Sequence, residues 1–237
     1  MIIYMWSGPR NLSTALMRSF ENRLDTKVLD EPFYSFYLKK TKLTHPMFKE
    51  IIKNYSYNKN YIIKKITKIP KKNKIFYQKH MTHHLLDEIN LDWIYKGKNC
   101  FLIRHPSKVI NFYIKKNSLK NINDIGFKKQ FEIFNLVKKK YNYDPIVVNS
   151  DKILKKPNET IKKLCKKLNI KFSENMINWP KGIRKTDGIW GSVWYEQVKN
   201  STSFGKYKNS KLEVPKKYYN IYKESMNIYN KMNKFSI

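Results

Sequence analysis

Apolar positions fall into two regimes along the chain: short unbroken runs, and longer stretches in which they recur every third or fourth residue. The run Ile2, Ile3, Tyr4, Met5, Trp6 is too short for a buried helix and stops at Gly8-Pro9, which predicts a buried strand. From Leu12 to Arg23 the spacing changes. Leu12, Leu16, Phe20 and Leu24 recur every fourth residue, with Ser13, Asn22 and Arg23 opposite them, and this predicts an amphipathic helix. Further strands are predicted at Lys27–Asp30, Ile75–Gln78, Asn99–Ile103 and Pro145–Val148. Helices are predicted from Pro106 to about Asn117, with the proline suited to a first turn, and over Phe127–Tyr141 and Pro215–Phe235. Residues 44–74 read as helices with basic turns, and Leu85, Leu86 and Ile89 as a helix after the histidines at 80–84. Strands alternating with helices predict an α/β protein, a parallel sheet between two helical layers. No composition shift marks a second unit, so one domain is expected over 1–237.

Charge changes this picture little. A formal net charge of +31 points toward disorder or a nucleic-acid binder, yet 41% apolar and 15% aromatic residues supply a packed interior. The basic excess is almost entirely lysine, interleaved with Asn and Ile throughout, and reads as solvated faces. No helix-turn-helix, zinc or RNP pattern accompanies it, so no specific nucleic-acid partner is expected. Five basic residues are arginine: Arg10, Arg18, Arg23, Arg104 and Arg184. Where lysine is the default, arginine marks positions that use a planar fork for phosphate or carboxylate, and Arg10 and Arg104 both follow predicted strands. Cys100 and Cys165 are far apart in apolar contexts and read as reduced core thiols. With no basic leader or apolar h-region before Ile2 and no apolar stretch of spanning length, a cytoplasmic protein without membrane attachment is expected.

The candidate chemistry gathers where strands end. A strand, a tight loop and a helix aim unpaired backbone N–H groups and the positive end of the helix dipole at one point, where Arg10, Ser13 and Thr14 also stand, so an anion is expected there. The pattern G-x-x-x-x-G-K-[ST] of nucleoside triphosphate enzymes fails: counted from Gly8, the second glycine falls on Ser13 and the lysine on Thr14. Asp30-Glu31-Pro32 and Lys79-His80 end two other strands and are expected near the loop, because parallel sheets bind ligands outside the carboxyl ends of their strands. One of Asp30 and Glu31 is expected to cap the helix near Phe33, and Pro32 favours Glu31 as the carboxylate held at the rim. His80, His83 and His84 lack metal-site spacing and cysteine neighbours, so no metal is expected; His83 and His84 read as capping or surface residues.

The loop Ser7-Gly8-Pro9-Arg10-Asn11-Leu12-Ser13-Thr14 resembles the phosphosulfate loop of the sulfotransferase family, usually Pro-Arg-Ser-Gly-Ser-Thr or a close variant. On that match Arg10 takes the cationic position and Ser13 and Thr14 the hydroxyl positions; Asn11 and Leu12 depart from the family's Ser and Gly. Gln78-Lys79-His80 resembles the family's Lys-Thr-His, whose histidine takes the acceptor proton, with the lysine one place closer here. Arg104-x-Pro106 resembles the segment that binds the donor's 3′-phosphate. The family's serine eight residues on is Phe112 here, and Asn111 or Ser118 is the expected substitute. Val147 to Leu168 resembles the family's following strand and helix, and the basic loop near Arg184 and Lys185 its cofactor-closing flap.

The chain is thus identified as a member of the sulfotransferase family, in its small bacterial-type form. The resemblance implies a P-loop NTPase-like architecture and transfer of a sulfuryl group from 3′-phosphoadenylyl sulfate (PAPS) to a hydroxyl or amine of a small-molecule acceptor. It implies 3′-phosphoadenosine 5′-phosphate (PAP) as product and no metal. Gly8, Pro9, Arg10, Asn11, Ser13, Thr14, Arg104, Asn111, Arg184 and Lys185 are the expected donor-binding residues, with Arg10 also catalytic. Glu31 and His80 are the candidate bases, Glu31 accepting the proton and His80 orienting or sharing it. A P-loop kinase or hydrolase using ATP, and a basic nucleic-acid-binding protein, are the alternatives.

Overall fold

The computed structural model describes residues 1–70, 73–209 and 212–237. Five strands, β1 (Ile2–Ser7), β2 (Thr26–Asp30), β3 (Ile75–Met81), β4 (Lys98–Ile103) and β5 (Ile146–Asn149), form an all-parallel sheet in the order β2-β3-β1-β4-β5. The central strand β1 is buried at all six positions, as a parallel strand covered on both faces must be. Alternation sends Tyr4 and Trp6 to one face with Phe76, Phe101 and Ile103, and Ile3 and Met5 to the other with Tyr77, Cys100 and Leu102. Cys100 and Cys165 are buried free thiols, and burial raises both thiol pKa values.

The helices are α1 (Ser13–Glu21), α2 (Tyr34–Thr41), α3 (Phe48–Asn54), α4 (Lys59–Ile66), α5 (Pro106–Tyr113), α6 (Phe127–Tyr141), α7 (Ser150–Lys155), α8 (Pro157–Leu168), α9 (Gly191–Trp194), α10 (Glu196–Lys199) and α11 (Tyr219–Asn233). The α6 helix has the bounds its periodicity predicts. Others differ. The α1 helix stops at Glu21, leaving Leu24 98% exposed, while Arg23 turns inward to pair with Asp25 and donate to the Lys171 carbonyl. After Thr82–His84, a single 3₁₀ turn, the chain does not continue as the predicted helix. Residues 71 and 72 of the stretch read as helical lie outside the described residues. No helix among the described residues is long and apolar enough to cross a membrane.

This topology brings the ends of β3 and β4 to either side of the loop that leaves β1, the place where open α/β sheets hold ligands. Gly8 lets that loop pass the Ile122–Ile125 turn: a Cβ at position 8 would lie 2.2 Å from the Ile125 carbonyl oxygen. Backbone cannot yield cheaply there, so Gly8→Ala is expected to destabilise the protein by about 1–3 kcal/mol, read as a lowered urea midpoint.

Candidate functional site

A cleft of about 530 Å³ opens at the carboxyl edge of the sheet. Pro9, Arg10, Asn11, Ser13 and Thr14 line it; Gly8 lies behind them. Arg10 (φ 62°) and Leu12 (φ 70°) both adopt the left-handed conformation, which is rare for such residues. No side chain caps the start of α1, so its first amides are left for another partner. Three hydrogen bonds fasten the strained turn to the ends of β4 and β5. Arg104 Nη1 donates to the Arg10 carbonyl at 2.8 Å, Ser150 Oγ to the Asn11 carbonyl at 2.6 Å, and Asn11 Nδ2 to the Leu102 carbonyl at 3.3 Å. Arg104 also lines the cleft, its guanidinium 5.0 Å from the centre of the Phe112 ring. Phe112, standing where the family has its serine, therefore supports the arginine with a flat apolar surface. The buried atoms Arg104 Nε and Asn11 Oδ1 have no hydrogen-bond partner.

Across the cleft, β2 and β3 deliver a buried charge cluster. Lys79 Nζ donates to Asp30 Oδ1 at 2.9 Å and to Glu31 Oε1 at 2.6 Å, and also reaches the Tyr195 hydroxyl. Burial works against the lysine's charge, but the two carboxylates outweigh it and hold its pKa above the ordinary value. Asp30 additionally accepts from the Tyr195 hydroxyl, Trp190 Nε1 and the Gly188 amide. Burial pushes its carboxyl upward against the Lys79 ammonium, and four converging donors satisfy the ionised form. Neither acid caps α2, whose N-terminal residue Phe33 has no side-chain cap; Asp30 instead ties the 188–195 segment to the sheet. Glu31 sits at φ 39°, a conformation strained for a non-glycine residue. Its Oε2 lies 3.9 Å from His84 Nδ1, too far for a hydrogen bond.

His80 is a correction to the sequence reading. The β3 strand runs three residues beyond Gln78, so Lys79 and His80 lie within it and point to opposite faces. Lys79 takes the cleft. His80 is 1% exposed among Tyr4, Trp6, Phe33 and Trp93, its Nε2 bonded to Gln78 Oε1 at 3.0 Å, and burial lowers its pKa to about 3. It reaches no acceptor. The imidazoles lining the cleft are His45, His83 and His84. His84 stacks on Tyr34 with ring centres 4.7 Å apart and planes 8° apart, and Tyr34 OH meets His45 Nδ1 at 2.8 Å. Burial keeps all three histidines below the ordinary imidazole pKa.

The other departures lie farther out. Asn111 donates to the Ser107 and Glu213 carbonyls, and neither it nor the exposed Ser118 lines the cleft, because α5 turns that face toward the 213 segment. Arg184 donates to the Pro180 carbonyl and lies near Glu21, while Lys185 is exposed; both stand outside the cleft. That segment is fastened to α1 by Arg18, which pairs with Asp187 and Glu21. Trp179 and Trp190 are core residues, and the side chains of this segment facing the cleft are Trp194, Tyr195, Glu196, Gln197, Val198 and Lys206. The period-two alternation of a longer β3 could have identified Lys79. Nothing local marks His45 or Tyr195, which reach the cleft through long-range folding.

Comparison with known proteins gives this arrangement a family. The model described as Sulfotransferase domain matches residues 1–235. Branched-chain-amino-acid aminotransferase-like proteins 1 and 2 of Arabidopsis thaliana are 31% and 29% identical over 229 residues, 97% of this chain. The chain spans only 41% of the length of these curated relatives, whose name describes the whole proteins. Among solved structures, the sulfotransferase domain from the curacin biosynthetic pathway superposes with a TM-score of 0.61 at 17% identity, covering 98% of this chain and 97% of that one. The sulfotransferase domain of the Synechococcus PCC 7002 olefin synthase gives 0.62 at 14% identity, covering 98% and 94%. At such identities the likeness is one of fold, and it is the family match over nearly the entire length that decides: the chain belongs to the sulfotransferase-domain family.

Proposed function

We propose that the protein transfers a sulfuryl group from PAPS to a hydroxyl or amine of a small-molecule acceptor. One observation carries this reading: an uncapped helix start, strained and fastened by Arg104, faces a buried lysine–carboxylate cluster across a single cleft. The loop from Pro9 to Thr14 would hold the 5′-phosphosulfate through backbone N–H groups, the Ser13 and Thr14 hydroxyls and Arg10. Arg104, steadied by Phe112, would bind the 3′-phosphate. Glu31 accepts the acceptor's proton as the acceptor atom bonds to sulfur and the bond from sulfur to the phosphate oxygen breaks, releasing PAP. Lys79 holds Glu31 through Oε1, leaving Oε2 toward the acceptor, and adds a fixed positive charge beside the reacting group.

Such chemistry needs little beyond placed cations and N–H donors, because both the transferring and the leaving group are anionic. The test of the class is calorimetric titration with PAP and AMP. PAP is expected to bind more tightly, and Arg104→Ala to lose about 1.5–3 kcal/mol of that preference, the size of a charge-assisted contact. Equal binding of both nucleotides by the parent protein, with magnesium-dependent ATP turnover, would move it to the kinases. An unchanged preference in Arg104→Ala would place the 3′-phosphate elsewhere.

A further inference from the structure

The two ends of the cleft differ in charge. The end built by the β1 loop and the segment after β4 presents Arg10, Arg104, Lys115 and Lys116. The end built by β2 and β3 contains one cation, Lys79, and two carboxylates hold it. Beside them stand the flat rings of Tyr34, His45, His83, His84 and Trp194, the imidazoles held below their ordinary pKa by burial, and the flap adds one charge of each sign, Glu196 and Lys206. There two carboxylates, Asp30 and Glu31, share one ammonium, inside a chain whose total is +31. It is also built for a ligand: His84 is 2% exposed and its Nδ1 has no partner, while Glu31 Oε2 stands 3.9 Å away. A bound hydroxyl could donate to the carboxylate and accept from the imidazole N–H, satisfying both.

Resting on the sulfotransfer reading, we propose that this end selects acceptors by charge, taking uncharged or cationic compounds with a flat apolar body and rejecting anionic ones. The surface field alone argues the opposite, since a chain of +31 attracts anions from a distance. Inside the cleft the local carboxylate decides. At short range and low dielectric two carboxylates sharing the single Lys79 ammonium disfavour a further negative charge, and the flat rings favour an ammonium or a neutral ring over a carboxylate.

The test uses three phenols on one frame: 4-ethylphenol (uncharged), tyramine (cationic) and 3-(4-hydroxyphenyl)propionate (anionic). Their binding to the PAP-loaded protein is measured by calorimetry, and transfer from PAPS by PAP release. The first two are expected to bind at least about tenfold more tightly than the third, the effect of roughly one unscreened contact. In His45→Lys, where a cation joins the rim of the same wall, the anion's relative affinity is expected to rise several-fold with PAP affinity unchanged. An anion that binds as well as the neutral phenol, binding by none of the three, or an unchanged ratio in His45→Lys overturns the proposal. Failure to bind PAP at all would instead sink the reading on which it rests.

Discussion

Glu31→Gln is expected to lower kcat by about two to four powers of ten, roughly 3–5.5 kcal/mol of transition-state free energy, with PAP affinity unchanged. Glutamine has the shape of glutamate and can still accept from Lys79 and Tyr195 through its carbonyl, so the cluster around Asp30 keeps its geometry. What is lost is the atom that takes the proton. The control is His80→Asn. His80 is sealed among aromatic rings away from the cleft, so this change is expected to lower stability while kcat survives. Near-parental turnover by Glu31→Gln would remove Glu31 as base; loss of turnover by a folded His80→Asn would restore the histidine.

Stability is expected to fall steeply as pH drops below about 6.5. His80 has a pKa near 3 in the folded protein against 6.5 for an ordinary imidazole, so between these values the unfolded chain binds a proton that the folded one refuses. The stabilisation is fully present above 6.5 and is lost as pH approaches 3. The maximum slope is about 1.4 kcal/mol per pH unit per histidine, so His80 alone accounts for roughly 5 kcal/mol over the whole window. His83 and His84 are depressed in the same direction by burial first, then His83 by His84 and His45 and His84 by His45 and Lys79, which steepens the fall. Urea midpoints at pH 7.5, 6.5, 5.5 and 4.5 measure it. A flat profile would mean that water reaches these rings, and His80→Leu is expected to remove one proton's share of the slope.

The architecture was legible because parallel strands buried on both faces write continuous apolar runs, and the amphipathic α6 writes its own bounds. The meeting of Arg10, Ser13, Thr14 and Arg104 at one cleft was legible too, because they stand within contiguous strand–loop–helix segments, where local spacing fixes position. The acceptor end was misread at the residue level because a strand's side chains reverse with each step. Reading β3 as ending at Gln78 made Lys79 and His80 equivalent loop residues, whereas pleating gives one to the cleft and the other to the core. Asn111, Arg184 and Lys185 failed for a different reason. Their partners, the Glu213 carbonyl, the Pro180 carbonyl and the exposed surface, are set by the path of irregular segments with no periodicity to read.

The central place of β1 bears on how the chain is made. Ile2 pairs with Phe76 and Tyr4 with Asn99, so this apolar strand lacks one or both neighbours until the chain has been made through β4, which ends at Ile103, about a hundred residues on. At about 5–20 residues per second that is a wait of roughly 5–20 s, long compared with hairpin or helix formation. During it, Ile2–Trp6 is an unpaired, uncharged β segment, the kind that chaperones shield and that associates between chains when they do not. The turn at Gly8 waits longer still. Its fastenings come from Arg104 and from Ser150, the residue that follows β5, so the turn and the last strand of the sheet are expected to settle in one step.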